Sequence, residues 1–376
     1  MSHNAGMRPI LDVTRSTHWR NLAAWRLLPL LGVLAVLAGC ADTRYYWQSV
    51  SGHLRLMQAA RPVAQWLDDA QTPASLKEQL RLSQRMRDFA VAELGLPDNP
   101  SYTHYADLHR PAVVWNVVAA PELSLTLQPW CFPVLGCVSY RGYFDQAQAQ
   151  LEASHLRAQG LEVTVYGVPA YSTLGWMNWA GGDPLLNTFI HYPEGELART
   201  LFHELAHQVM YARDDTMFNE SFASAVERLG GSLWLETRAS DRARRDYAAH
   251  DARRRDFRML VLTTREQLLQ LYRNADGLGG ETLRQRKQAV MQDFRARYAT
   301  LKTGWGGYAG YDNWVAQANN ASLGAQAAYD AWVPQFEALF VRKGRDWPAF
   351  YDAVRRLAAL PAAERRTALL HAGEIP

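Results

Sequence analysis

The segment Thr200–Gln208 constrains the fold and chemistry of this chain most, because it places His203, Glu204 and His207 at the spacing His-Glu-x-x-His. Residues four apart lie on one face of a helix, so both imidazoles can reach a single metal ion. The glutamate between them projects close enough to take a proton from a water at that metal. The motif therefore predicts a zinc site on a helix, with two histidine ligands and Glu204 as the general base.

A His-Glu-x-x-His segment can also occur without a metal. The two histidines could be surface residues, or one of them could be a core histidine with a satisfied hydrogen bond. A catalytic zinc also needs a third protein ligand and an open fourth position. His191 precedes His203 by twelve residues and is a rival ligand. Its place in a predicted strand favours a structural role.

The segment Phe218–Glu227 (FNESFASAVE) resembles the Asn-Glu-x-Phe-Ala segment of gluzincin peptidases, which include thermolysin-like enzymes and zinc aminopeptidases. That resemblance implies that Glu220 is the third zinc ligand. Glu220 begins the next predicted helix after a turn, so the two helices can pack antiparallel and converge on the ion. Glu227 follows two turns later on the same face and could orient a ligating histidine. It could equally be a surface glutamate paired with an arginine.

Two features depart from the better-known gluzincins: a short spacing from His207 to Glu220, and Ser224 where thermolysin-like enzymes have aspartate.

Most of the chain after Cys40 resembles a family of bacterial lipoproteins named predicted aminopeptidases. That resemblance implies a zinc metallopeptidase, an aminopeptidase in particular, with Zn²⁺ as cofactor and a peptide or protein as substrate. The segments that carry it, besides the two at the predicted zinc site, are Tyr45–Tyr46, Trp130–Cys137, Arg141–Phe144, Ser172–Trp176, Asp183–Leu186, Gly310–Asp312 and Asn319–Ala321.

The N-terminus has the pattern of an export signal. Basic residues precede the apolar run Leu27–Leu37, which has about the length of a signal-peptide core and is too short to span a membrane. Small residues and Cys40 follow, which resembles the lipobox of bacterial lipoproteins. The resemblance implies removal of residues 1–39 and a lipid anchor on Cys40; the alternative is a buried helix with an incidental cysteine. Ala41 after the cysteine favours the outer membrane, facing the periplasm, over the inner membrane.

Two further cysteines, Cys131 and Cys137, lie six residues apart. An exported chain permits a disulfide between them, and two buried free thiols are the alternative. A zinc site built on this pair is not favoured, because two more ligands are lacking nearby.

Hydrophobic periodicity predicts an α+β fold that is mostly α-helical. Tyr45–Leu67 reads as a helix that Pro62 could kink or split. A β-leaning region follows, and the chain is helical almost throughout from Glu196. By the resemblance, the whole is a gluzincin-like zinc peptidase with a small mixed sheet and a helical C-terminal half. The predicted strands are Pro111–Ala120, Leu123–Leu127, Leu161–Val168 and Leu185–His191.

The predicted organisation has three parts. Residues 1–39 are the signal peptide that is removed. Residues 40–195 contain the N-terminal helices and the small sheet, and residues 196–376 are the helical part with the zinc site. The last two parts are predicted to form one continuous catalytic unit. With 48% apolar residues, the chain can bury a sizeable core.

Two further groups of residues are candidates for substrate chemistry. Tyr308 and Tyr311 follow glycines in a loop and could stabilise the oxyanion, or could simply pack that loop against the core. An aminopeptidase also needs a carboxylate for the substrate's free α-amine. Asp183, Glu194 and Glu196 precede the motif, with no recognised pattern around them.

Three functions therefore compete: a zinc aminopeptidase, a zinc endopeptidase that processes envelope proteins, and a non-catalytic peptidase-like scaffold. A scaffold has no need of the general base, so the intact motif disfavours it. Forty basic residues nearly balance 37 acidic ones, for a net charge of +3. That balance does not indicate a nucleic-acid partner. The predicted membrane contact is the lipid on Cys40. The oligomeric state is left open.

Overall fold

A computed structural model describes residues 44–371, apart from 133–135, 171, 174, 176–177, 179–180, 276 and 331. The predicted signal peptide and Cys40 lie outside the described residues. The chain divides into two units after Gly52. All the sheets and the site described below belong to the larger unit, 53–376.

Helices make up 61% of the structure and the sheets are small, which confirms a mostly helical α+β fold. No helix in the described part of the chain is long and apolar enough to cross a membrane. The helices are α1 (44–59), α2 (Val63–Asp68), α3 (Ala74–Ala92), α4 (Gln146–Ala158), α5 (Glu194–Ala206), α6 (Thr216–Thr237), α7 (Asp241–Arg273), α8 (Gly280–Gly304), α9 (Asp312–Ala316), α10 (Asn320–Asp330), α11 (Val333–Arg342), α12 (Trp347–Ala358) and α13 (Ala362–His371).

The strands form three small sheets within the described residues, in the orders β1-β2-β8, β6-β3-β7 and β4-β5. Strand β2 pairs antiparallel with β1 and parallel with β8. The central strand β3 pairs antiparallel with β6 and β7, and packs against α4 and α10. The strands are β1 (Arg61–Pro62), β2 (His104–Ala106), β3 (Val114–Pro121), β4 (Trp130–Phe132), β5 (Gly136–Val138), β6 (Arg141–Tyr143), β7 (Leu161–Val168) and β8 (Leu185–Leu186).

Two of the four predicted strands are confirmed, as β3 and β7. The prediction of a strand at Leu123–Leu127 is wrong: the chain turns there, and Leu125 is buried beside helices α7 and α8. The prediction for Leu185–His191 is wrong beyond Leu186. The strand ends there, and Phe189 is buried in the main core. Both errors have one cause, since a short apolar run has the same pattern in a buried strand and in a buried turn.

The helix predicted over Tyr45–Leu67 is interrupted, because Pro62 cannot continue a helical hydrogen-bond ladder. Helix α1 ends at residue 59, a two-residue strand follows, and α2 begins at Val63. The short strand pairs with β2, so the interruption attaches the chain just before α2 to a sheet.

Strands β4 and β5 form a hairpin that places Cys131 directly opposite Cys137, and the two are joined by a disulfide. The predicted disulfide is therefore confirmed, and the alternative of two free thiols is wrong. Asp214 accepts a hydrogen bond of 2.6 Å from the backbone N–H of Cys137. This bond attaches the hairpin to the connection between α5 and α6.

The main hydrophobic core surrounds helices α5 and α6. Helix α5 buries Leu197, Leu201 and Leu205, at a spacing that places them along one face. Helix α6 buries Phe218 and Phe222, whose rings pack against helices α11 and α12. The two helices are therefore enclosed by apolar side chains on several sides, which holds the polar residues between them in fixed positions.

Candidate metal centre

Helices α5 and α6 pack side by side in antiparallel register. Near the start of α5, Glu194 accepts a hydrogen bond of 3.0 Å from the indole N–H of Trp234, which lies towards the end of α6. One turn further along α5, Arg199 donates to Glu227, which lies nearer the start of α6. The end of α5 consequently meets the first turns of α6, and this is where the His-Glu-x-x-His segment lies.

The connection between the two helices is held by buried polar contacts. The side chain of Asn219 donates to and accepts from the backbone of Ala212, at 2.8 Å in each direction. Asp215 caps α6 by accepting from the N–H of Phe218 at 3.0 Å, and Arg365 donates to its other oxygen at 2.6 Å. These contacts fix where α6 begins, and therefore where Glu220 stands relative to α5.

Three side chains converge at this point. The Nε2 atoms of His203 and His207 are 3.1 Å apart, and Glu220 Oε2 lies 3.4 Å from the first and 3.7 Å from the second. Zinc bonds of about 2.0–2.1 Å at tetrahedral angles separate donor atoms by about 3.3–3.4 Å. The three donors fit that geometry, so this group could bind a metal ion.

The orientation of His203 is set by a second carboxylate. Its Nδ1 donates to Glu227 Oε2 at 2.8 Å, so its Nε2 faces the other two donors. Burial would lower the pKa of His203, but the carboxylates of Glu220 and Glu227 raise it well above its usual value, so a metal ion would bind this imidazole by displacing a proton. Burial would raise the pKa of Glu227, but the Arg199 guanidinium and His203 lower it to about 2. Burial also lowers the pKa of His207 to about 4, which leaves that imidazole neutral, the form that binds metals, at pH 7.

Glu204 lies beside this group without being one of its three donors. Burial raises the pKa of its carboxyl group to about 7; His203 opposes that shift and Glu220 adds to it. A carboxylate that titrates near neutral pH is well matched to accepting and returning a proton. The site therefore combines three donors that could hold a metal ion with a nearby carboxyl group that can exchange a proton.

A sequence profile of the family described as "Putative aminopeptidase" matches residues 44–369. The chain belongs to this family. The match includes both helices of the site and nearly all of the described residues. No curated protein matches the chain, and no solved structure does. Family membership confirms the predicted resemblance to an aminopeptidase family and indicates a peptidase, while the gluzincin and lipoprotein assignments stay predictions.

In this family member, the two tyrosines predicted to stabilise the oxyanion lie against helix α7. The ring of Tyr311 stacks on Phe257 with centroids 4.0 Å apart, and the Arg253 guanidinium lies 4.5 Å from the ring centroid of Tyr308. Within the described part of the chain, neither tyrosine has a hydrogen bond or ring contact with the three metal-binding side chains. Their catalytic role stays a prediction.

The three carboxylates predicted for the substrate amine all have partners. Glu196 accepts from Arg254 at 2.7 Å, and Glu194 is bonded to the indole on α6. Asp183 is buried and accepts from Gln208 at 3.2 Å. The rival ligand His191 is exposed just before α5 and is not among the residues that converge.

Sequence reasoning missed a polar network around Gln208, the residue after the motif. Its side-chain amide donates to Ser101 Oγ at 3.1 Å and to Asp183, and accepts from Asn99 at 2.7 Å. Gly182 has φ +69°, and a Cβ there would lie 2.5 Å from the Ser101 nitrogen. The three partners are 25, 107 and 109 residues from Gln208 in sequence, so no local pattern indicates them.

Proposed function

We propose that this protein is a zinc-dependent metallopeptidase that hydrolyses peptide bonds, with aminopeptidase as the favoured activity. The observation that supports it most is the convergence of His203, His207 and Glu220, with donor atoms 3.1–3.7 Å apart, beside Glu204. Two imidazoles and a carboxylate are a donor set of catalytic zinc, which keeps a fourth position for water or substrate. Membership of the aminopeptidase family supports the same class of reaction.

The chemistry divides between the metal and the chain. Zinc, when bound, supplies a Lewis acid that polarises the peptide carbonyl and lowers the pKa of water. Glu204 accepts a proton from the water whose oxygen bonds to the carbonyl carbon. As the C–N bond breaks, Glu204 donates that proton to the leaving amine nitrogen and returns to its starting form. Its pKa of about 7 suits both transfers.

Aminopeptidase is favoured over endopeptidase by the family alone. The three carboxylates considered for binding the substrate amine are engaged within the protein, so none of them distinguishes the two. A zinc endopeptidase of envelope proteins is therefore the second candidate, and a non-catalytic scaffold is the third. The retained base Glu204 argues against a scaffold, since binding alone would not require it.

The experiment uses the full chain in detergent, as wild type and as Glu204→Gln. Bound zinc is measured first, and then cleavage of peptide libraries with free and N-acetylated N-termini. We expect about one zinc per chain in both proteins and cleavage by wild type alone. Cleavage of the free-amine peptides only would support an aminopeptidase, and cleavage of both libraries an endopeptidase. Bound zinc without cleavage would favour the scaffold.

We also propose that a lipid on Cys40 anchors the protein to the outer membrane, facing the periplasm. The first described helix supports proximity to a membrane. Its residues Tyr46, Trp47 and Val50 lie on one side of the helix, within an arc of about 100°. All three side chains are exposed, and Trp47 is 71% exposed. Aromatic and aliphatic side chains of this kind favour the bilayer interface. Incorporation of labelled palmitate should occur in wild type and be absent from Cys40→Ser; equal labelling would contradict the anchor.

A further inference from the structure

Tyr102 has an unusual backbone conformation for a tyrosine. Its φ is +64°, in the left-handed region that residues with a Cβ seldom adopt. Two hydrogen bonds hold it there. Its N–H donates to the carbonyl of Asp183 at 2.6 Å, and its own carbonyl accepts from the Gln84 amide at 2.9 Å. Such conformations persist only where the surroundings enforce them, and they are found preferentially at functional sites.

The hydroxyl group of Tyr102 is also unusual. The residue is 1% exposed, and its hydroxyl has no hydrogen-bond partner among the described residues. Buried hydroxyls are normally bonded, because an unmade bond is unfavourable in the interior. Tyr351 shows the normal arrangement: it is 2% exposed, and its hydroxyl donates to the carbonyl of Leu94 at 2.8 Å. Tyr102 therefore combines an enforced backbone with an unused donor.

Tyr102 follows a residue that contacts the segment of the proposed catalytic base. The preceding residue, Ser101, accepts a hydrogen bond of 3.1 Å from Gln208, which comes four residues after Glu204. Burial raises the pKa of Tyr102 well above 10, and the negative charges of Glu204 and Asp183 raise it further. The phenol consequently keeps its proton at neutral pH and can donate a hydrogen bond.

We propose that the hydroxyl of Tyr102 is the hydrogen-bond donor that stabilises the substrate's carbonyl oxygen as that oxygen becomes negatively charged. The phenol keeps its proton throughout, so no proton transfer is added to the reaction. The inference rests on the proposed peptidase function and assigns the oxyanion role to Tyr102 in place of Tyr308 or Tyr311, which contact helix α7. Because the hydroxyl is enclosed in the free protein, the bond forms only when substrate binding brings the two groups together, as catalytic hydrogen bonds often do.

The test replaces Tyr102 with phenylalanine in the full chain, with Tyr351→Phe as the matched control. On the peptide that wild type cuts best, Tyr102→Phe should lower kcat by about 10²–10³-fold, the usual effect of removing an oxyanion donor. KM and bound zinc should stay within about threefold of wild type. Its Tm should be unchanged or higher, because the lost hydroxyl made no bond. Tyr351→Phe should do the reverse, with wild-type kcat and a Tm lower by about 2 °C or more.

A second measurement isolates the transition state from substrate binding. A phosphinic analogue of the same peptide presents a tetrahedral oxygen that resembles the oxyanion. It should bind Tyr102→Phe more weakly by about the same factor as kcat falls, while KM stays constant.

Several outcomes would overturn the inference alone. These are a wild-type kcat in Tyr102→Phe, a loss of zinc or of Tm in that variant, or a kcat loss found instead in Tyr308→Phe or Tyr311→Phe. An inactive wild type is a different result, because it would refute the proposed peptidase function itself and with it any oxyanion donor.

Discussion

Replacing Arg199 with methionine removes the guanidinium group that faces Glu227 while keeping most of the side-chain volume. Arg199 and Glu227 are 9% and 18% exposed, and the arginine donates directly to the carboxylate. Removing one partner of a buried ion pair costs about 3–5 kcal/mol, because the other charge stays buried without compensation. Glu227 retains its contact of 2.8 Å with His203, so we expect the lower end, about 3 kcal/mol.

The same substitution should weaken zinc binding. With the arginine gone, His203 is the only hydrogen-bond partner of Glu227 left among the described residues, and Glu227 no longer fixes the direction of that imidazole. Loss of such an orienting contact raises the dissociation constant of a metal about 10–100-fold. Zinc affinity is measured by competition with a chelator, and the free energy of unfolding by urea titration of the zinc-free protein.

Arg254→Met is the matched control. Arg254 lies in the same network and donates to Glu196 and Asp251 at 2.7 and 2.8 Å, with no hydrogen bond or ion pair to Glu227 among those described. It should also lower the free energy of unfolding, yet leave zinc affinity unchanged. If Arg199→Met lost stability but bound zinc as tightly as wild type, the arginine would be purely structural and the reasoning would be refuted.

Three further predictions follow from individual contacts. The pKa of Glu204 is raised to about 7, and its ionised form is the base. The kcat/KM should therefore fall as the pH drops through about 7, or through a somewhat lower pH once a cation is bound. A flat profile from pH 5 to 8 would contradict this. Replacing Cys131 and Cys137 by serine should lower the free energy of unfolding by about 2 kcal/mol in urea titration, since the bond closes a short loop. Gly182→Ala should cost more than about 1 kcal/mol, because φ is +69° and the new Cβ would meet the Ser101 nitrogen; a neutral effect on Tm would be inconsistent with that geometry.

Local spacing predicts the residues whose geometry is set within one or two helices. His203 lies on α5 and His207, four residues later, directly follows the last residue of that helix with helical backbone angles; Glu227 is seven residues after Glu220 on α6. Helical periodicity alone therefore groups each pair on one face. Arg199, four residues before His203, lies on that face as well and could have been found by the same rule.

The residues that were missed depend on contacts between distant parts of the chain. Tyr102 is about a hundred residues from Glu204, and its left-handed backbone is enforced by Asp183 and Gln84. No periodicity in the segment around Tyr102 indicates either partner. The incorrect strand at Leu123–Leu127 has a related cause, since its buried Leu125 packs against α7 and α8 and the segment does not pair in a sheet.

The central claim is that His203, His207 and Glu220 hold a zinc ion on which Glu204 acts as base. The most direct test measures bound zinc and peptide cleavage together, in wild type and Glu204→Gln. We expect about one zinc per chain in both proteins and a loss of cleavage of at least about 10²-fold in the variant, because the base is removed and the ligands are not. A wild-type protein that binds no zinc, or a variant that cleaves as fast as wild type, would contradict it.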